Sequence, residues 1–128
     1  MHPRAPYFFI TNEREPSVSS YRLDSETGEV RLVQTIATVP EGESAPPAAP
    51  AGAAPAGAPR VSPSDIRIHP NARFLYSSNR VFGGRDSMAI FAIDEGTGRL
   101  RRVDVVETGG SGQWTYKTRT GVLNFLNW

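Results

Sequence analysis

The 128-residue sequence contains no cysteine, which excludes a disulfide framework and any catalytic or metal site built on a thiolate. It also lacks an apolar run approaching the ~20 residues that a helix needs to cross a bilayer. The N-terminal residues 1–6 lack the apolar core of a signal peptide. These absences fit a reducing compartment, and we expect a soluble protein with a cytoplasmic location.

A marked excess of charge of either sign is missing as well. The chain carries 14 Lys and Arg against 13 Asp and Glu, and its net charge is +1. The densest basic run, at residues 99–102, alternates with apolar positions and is typical of a solvated strand face. We therefore expect neither a nucleic-acid partner nor binding to a membrane surface.

What the sequence does contain is an internal repeat. A His-Pro pair, an aromatic strand and an asparagine begin at His2 and recur at His69, and a constant offset of 67 residues extends to Glu13 and Arg80. Each copy continues into a second apolar strand and an Asp-x-x-Thr-Gly turn. Because short strands with turn signals between them repeat and no stretch has a helical period, we predict an all-β array such as the blades of a β-propeller.

The two copies are unequal in length. The first predicts three strands and the second predicts four in meander order, at 7–11, 18–23, 30–39, 65–68, 74–79, 88–93 and 100–107. The fold is therefore predicted as a β-propeller fragment of about two four-stranded antiparallel blades. Large aromatic side chains are expected to fill the space between the blades: Tyr7, Phe8, Phe9, Tyr76 and Phe91.

Two segments fall outside the repeat, and they divide the chain into four parts. Residues 41–63 are dominated by Ala, Pro and Gly, which predicts a mobile, partly extended linker outside the core. The tail at 111–128 does not match the opening of a third copy. We therefore expect an incomplete blade at 1–40, a linker at 41–63, a blade at 64–110 and an atypical tail at 111–128.

The second copy resembles a known family. Residues 64–80 read Ser-Asp-Ile-Arg-Ile-His-Pro-Asn-Ala-Arg-Phe-Leu-Tyr-Ser-Ser-Asn-Arg. This is similar to the Asp-Ile-x-Ile-x-Pro-Asp-Gly-Arg-Phe-Leu-Tyr-x-Ser-Asn-Arg signature of the lactonase family of seven-bladed β-propellers. That family includes 6-phosphogluconolactonases and 3-carboxy-cis,cis-muconate lactonizing enzymes. The turn departs from the signature, because Asn71-Ala72 stands where the family has Asp-Gly.

The resemblance implies hydrolysis of a sugar lactone, such as 6-phosphogluconolactone, by the complete family member. The implied partner is a small lactone or an anionic sugar, with no cofactor and no metal. Since the chain holds fewer than two of seven blades, we expect an internal fragment that is inactive alone. Two alternatives stay open: a fragment of a muconate-type lactonizing cycloisomerase, and a non-catalytic interaction fragment that self-associates through its exposed blade edges.

The resemblance also implies a site at one end of the propeller channel, to which Glu13 and Arg80 contribute as catalytic residues. Both residues close equivalent strands of neighbouring blades, so we expect them to point into the same region. The alternatives are a solvated acid for Glu13 and a loop arginine for Arg80. The repeated residues His2 and His69 are interpreted as turn residues before proline rather than as metal ligands, because no acid or cysteine lies at ligand spacing.

Overall fold

The computed structural model describes residues 1–40, 60–82 and 84–109. Seven strands form two antiparallel meanders, and the prediction of three strands followed by four is confirmed. The strands are β1 (Tyr7–Asn12), β2 (Ser17–Leu23), β3 (Val30–Ala37), β4 (Arg60–Ile68), β5 (Phe74–Phe82), β6 (Ser87–Ile93) and β7 (Leu100–Glu107). The predicted tail and residues 41–59 of the predicted linker lie outside the described residues. The part of the chain that the structure describes has no helix of the length and apolarity that a bilayer crossing needs.

The strand that opens the second sheet is longer than predicted. It begins at Arg60, so residues 60–63, which the sequence assigned to the linker, are paired with the end of β5. Pro63 lies at an irregularity in the register, between Pro63 and Asp65, which suits a residue without an N–H to donate. The first half of β4 was therefore not predicted, because the preceding segment is rich in proline and alanine.

The two sheets share their local details, as expected from the repeat. In the first turn, the Asp24 side chain accepts backbone hydrogen bonds from Glu26 at 2.9 Å and Thr27 at 3.1 Å, and Gly28 adopts a φ of 74°. The turn after Asp94 repeats this geometry. The β2–β3 and β6–β7 pairings also share a register shift at an equivalent position, between Ser20 and Tyr21 and between Ile90 and Phe91. The repeat therefore preserves both turn chemistry and strand irregularity.

The larger of the two apolar clusters in the described residues joins the two sheets face to face, and the smaller one consists of Val39, Val61 and Val81. The members of the larger cluster are Tyr7, Phe9 and Val18 from the first sheet and Leu75, Ala89, Phe91, Ile93 and Leu100 from the second. The aromatic prediction is thus correct for three residues, whereas Phe8 and Tyr76 lie outside this cluster. Phe8 instead stacks on Tyr21, its register partner on β2, with ring centroids 5.2 Å apart.

Hydrogen bonds reinforce the packing between the sheets. The Tyr7 hydroxyl donates to the Gly96 carbonyl at 2.9 Å. The Gln34 side chain pairs with the Leu100 backbone in both directions, accepting from its N–H at 2.9 Å and donating to its carbonyl at 3.2 Å. Arg102 Nη1 donates to the carbonyls of Ala37 and Val39, at 3.0 and 2.6 Å. The relative position of the sheets is therefore fixed by directional contacts as well as by apolar burial.

Candidate functional site

The two residues singled out by the repeat come together at one end of the sheets. Glu13 follows the last residue of β1, and Arg80 lies near the end of β5. Arg80 Nη2 is 3.7 Å from Glu13 Oε1. Ser62 of β4 connects them, because its Oγ donates to Glu13 Oε1 at 3.2 Å and lies 3.5 Å from Arg80 Nη2. We call this group the Glu13–Ser62–Arg80 cluster.

The cluster combines a buried cation with an accessible carboxylate. Arg80 is 8% exposed and Ser62 is fully buried, whereas the Glu13 side chain is 64% exposed. A buried guanidinium has little freedom to reorient, since its position is set by the strand and by its neighbours. The exposed carboxylate can be reached from solvent. The arrangement can therefore present a fixed positive charge beside a carboxylate that a small solute can approach.

Asparagine side chains fix the backbone directly before both charged residues. Asn12 Nδ2 donates to the hydroxyls of Ser17 and Ser19 on β2, at 2.9 Å each. Asn79 Nδ2 donates to Ser87 Oγ and to the Thr38 carbonyl, at 3.2 Å each. These contacts tie the segment before each charged residue to the neighbouring strand, and the second one also spans the two sheets. The two pairs share one contact, because each asparagine donates to the serine at the equivalent position of the next strand, Ser17 or Ser87.

A buried carboxylate secures the other side of Arg80. Asp86 is fully buried, and its Oδ1 accepts the N–H of Val81 at 2.9 Å. The carbonyl of Asp86 accepts both the N–H and the hydroxyl of Thr108, at 2.9 Å each. This residue links the end of β5 to the end of β7, so the backbone that carries Arg80 is held at both sides.

Ser62 is the member of the cluster that sequence reasoning missed, because residue 62 was assigned to the linker. Its signal is the register of β4, which places Ser62 directly opposite Arg80. In the sequence around Ser62, a strand is favoured only by its β-branched neighbour Val61.

The two histidines are turn residues, as predicted. His2 Nε2 lies 2.9 Å from the Ala72 carbonyl, and its Nδ1 accepts the Arg4 N–H at 3.3 Å. His69 Nδ1 accepts the Asn71 N–H at 3.2 Å. Within residues 1–40, 60–82 and 84–109, no group of three or more His, Cys, Asp or Glu is arranged to hold a metal ion.

Two neighbouring antiparallel meanders, packed face to face and related by a sequence repeat, are blades of a β-propeller. The family model described as "Lactonase, 7-bladed beta-propeller" matches residues 1–113, so the chain belongs to the lactonase family of β-propellers.

Similar proteins agree with this assignment. The chain is 33% identical over 94 residues to the 6-phosphogluconolactonase of Pectobacterium carotovorum, covering 73% of this chain and 23% of that protein. It is 26% identical over 110 residues to the 6-phosphogluconolactonase of Bacillus subtilis, covering 86% of this chain and 27% of that protein. The chain therefore spans about a quarter of the length of these relatives.

Solved structures match the described fold. A structure titled as a putative 6-phosphogluconolactonase from Bacteroides fragilis aligns with a TM-score of 0.59 and 25% identity, covering 80% of this chain and 23% of that one. A periplasmic gluconolactonase from Pseudomonas aeruginosa aligns with a TM-score of 0.61 and 24% identity, covering 83% of this chain and 24% of that one. The second similarity concerns the fold alone.

Proposed function

We propose that the chain is part of an enzyme that hydrolyses a sugar lactone such as 6-phosphogluconolactone, and that Glu13 and Arg80 belong to its site. The observation that carries the proposal is the convergence of Glu13, Ser62 and Arg80 in a member of the lactonase family. The similar proteins of Pectobacterium carotovorum and Bacillus subtilis, both named 6-phosphogluconolactonase, support the substrate class.

The roles follow from the chemistry of the two charged groups. A guanidinium can bind a phosphate or carboxylate through two parallel N–H donors, and it can stabilise negative charge that develops on a lactone carbonyl oxygen. A carboxylate beside it can orient water and take its proton as the water attacks that carbonyl. Ser62 holds Glu13 through Oε1, so we assign the binding of the attacking water to Oε2.

The proposal assigns turnover to a complete propeller and not to the 128-residue chain. The resemblance to the muconate-lactonizing branch of the family implies a further His and a further Arg, neither of which is assigned to a residue of this chain. The chain spans about a quarter of the relatives' length, and it supplies one cation and one carboxylate to a site that would enclose the substrate in the complete propeller. We expect the chain to bind the anionic sugar weakly and to leave lactone hydrolysis at its spontaneous rate. The proposal also includes a cytoplasmic location and a role in carbohydrate metabolism.

Binding of the stable product, 6-phosphogluconate, tests the site directly. We expect a nuclear magnetic resonance titration to shift the amide signals at Glu13, Ser62 and Arg80, and Arg80→Lys to weaken binding about tenfold because bidentate contact is lost. Arg85→Lys is the matched control, since Arg85 is an exposed arginine paired with Glu107 at 3.2 Å. Equal binding by Arg80→Lys and the unchanged chain, or signal shifts confined to other residues, would refute the assignment. The cycloisomerase alternative requires tighter binding of a lactone that carries a carboxylate in place of the phosphate. A titration with that compound therefore distinguishes the two functions.

A further inference from the structure

The exposed apolar residues of the two sheets can be compared through the sequence repeat. Apart from Met1, the large hydrophobic side chains that the structure leaves most exposed are Ile10, Val30, Leu32, Val103 and Val106. The strand pairs β2/β6 and β3/β7 are related by an offset of 70 residues, as the turns at Asp24 and Asp94 show. With these offsets, Val30, Val103 and Val106 have apolar counterparts in the other sheet, whereas the counterparts of Ile10 and Leu32 are Ser77 and Arg102.

The first sheet exposes the face that the second sheet buries. Register places Phe8, Tyr21 and Leu32 in one row across β1, β2 and β3, and Leu23 and Val30 form a further pair on that face. The counterparts of Phe8, Tyr21 and Val30 are Leu75, Phe91 and Leu100, which belong to the cluster between the sheets. Val30 is 49% exposed, whereas Leu100 is 4% exposed. We call this surface, made of Phe8, Ile10, Tyr21, Leu23, Val30 and Leu32, outer face 1.

The second sheet exposes the complementary face. Val103 and Val106, which are 48% and 45% exposed, have Val33 and Ile36 as counterparts. Val33 and Ile36 pack against the cluster between the sheets. Phe74 and Tyr76 likewise have Tyr7 and Phe9, two members of that cluster, as counterparts. We call the surface made of Phe74, Tyr76, Ile90, Val103 and Val106 outer face 2.

The contact within the chain is therefore a template for a contact between copies. We infer that outer face 1 of one copy packs on outer face 2 of a second copy, in the arrangement that joins the two sheets within one chain. This inference concerns the 128-residue chain as such, whereas the proposed function concerns a complete propeller, so either can fail without the other. It concerns the flat faces of the sheets rather than their strand edges.

A polar contact supports the same arrangement. His69 is the counterpart of His2 and makes the same hydrogen bond through Nδ1. His2 Nε2 meets the Ala72 carbonyl of the other sheet, and Ala5 is the counterpart of Ala72. In the structure's described part, His69 Nε2 makes no protein hydrogen bond. Head-to-tail packing would bring it to the Ala5 carbonyl of the next copy.

The contact is heterologous, because it joins two different surfaces. Such contacts close into a ring when the rotation allows it and otherwise extend into a filament. The described residues of each copy supply two sheets, so a ring built from these residues holds an even number of sheets, whereas the family has seven blades. Since propellers have about four to eight blades, we expect closed assemblies of two to four copies, with six or eight sheets nearest to the family's curvature.

The test uses one substitution on each face. Val30→Glu places a charge on outer face 1, and Val106→Glu places one on outer face 2. Both positions are about half exposed in the single chain, so we expect both variants to keep the β-sheet circular dichroism of the unchanged chain. Light scattering after size exclusion should show a small oligomer for the unchanged chain at roughly 100 µM and a monomer for each variant. Glu15→Lys, in the exposed turn between β1 and β2, is the control and should remain oligomeric.

Mixing the two variants gives the decisive result. Each variant retains the face that the other has lost, so equal amounts should form a one-to-one heterodimer through a single intact contact. A mixture that stays monomeric, an unchanged chain that is monomeric at this concentration, or oligomers that survive either substitution would overturn the inference. If a variant loses its β-sheet signal, Leu32→Lys and Val103→Lys replace the pair, and the same outcomes decide.

Discussion

The packing between the sheets makes a quantitative prediction about Leu75. This side chain is fully buried in the apolar cluster, and its register partner on β6 is Phe91, also fully buried. Leu75→Ala removes the transfer free energy of the lost atoms and leaves a cavity, which together cost about 3 kcal/mol in well-packed cores. Leu32→Ala makes the same chemical change at a position that is 60% exposed, where we expect a loss below about 1 kcal/mol.

The free energy of unfolding should be measured by urea denaturation, followed by circular dichroism, at protein concentrations low enough to keep the chain monomeric. Because both variants exchange leucine for alanine within a strand, intrinsic β-propensity largely cancels in the comparison. A loss of about 3 kcal/mol is a large part of the stability of a small domain, so Leu75→Val serves as a milder second variant. A difference below about 1 kcal/mol between Leu75→Ala and Leu32→Ala would refute the packing of the two sheets against each other.

Two further predictions concern the repeated turns. Gly28 and Gly98 both adopt a positive φ, of 74° and 72°, but a Cβ at Gly98 would lie 2.7 Å from Tyr7 Cγ, whereas one at Gly28 meets nothing within 4 Å. Gly98→Ala should therefore lower the urea midpoint more than Gly28→Ala, and equal midpoints would contradict the contact with Tyr7. The second prediction concerns pH: hydrogen bonds from the Thr97 side chain and the Gly96 backbone lower the pKa of Asp94 from its ordinary value of 3.8. A lowered pKa stabilises the fold above that value and loses this contribution as pH falls through the folded-state pKa. The unfolding midpoint of Asp94→Asn should consequently fall less below pH 4 than that of the unchanged chain, and parallel acid profiles would count against the turn.

The repeat made most of the fold predictable from the sequence. Turn chemistry at Asp24 and Asp94 marked where strands end, and the constant offset indicated that both copies form the same unit. The beginning of β4 could not be predicted, because Pro63 and the preceding Ala-Pro-Gly segment are typical of linkers. That strand is specified by its pairing with β5, a long-range contact that local composition does not report.

The alternation of side chains along a strand also limits how far aromatic packing can be predicted from the sequence. Alternation shows that Phe8 and Phe9 point to opposite faces of the first sheet, but it does not show which face meets the second sheet. The structure assigns Phe9 to the cluster between the sheets and Phe8 to outer face 1. The direction in which the second sheet packs is therefore a tertiary choice, and the prediction that both residues lie between the two sheets was wrong for Phe8.

The proximity of Glu13 and Arg80 could be predicted from the sequence, but the burial of each side chain could not. Equivalent strand ends in neighbouring blades lie close together, so a constant offset was enough to pair the two residues. Their unequal exposure was not predictable, because it depends on β4, which runs beside β5 and covers Arg80. Among the described strands, the first sheet has no counterpart of β4 beside β1, and the Glu13 side chain accordingly stays 64% exposed. A strand added beside β1 would desolvate Glu13, strengthen its interaction with Arg80 and bring the carboxylate into the surroundings that proton transfer requires.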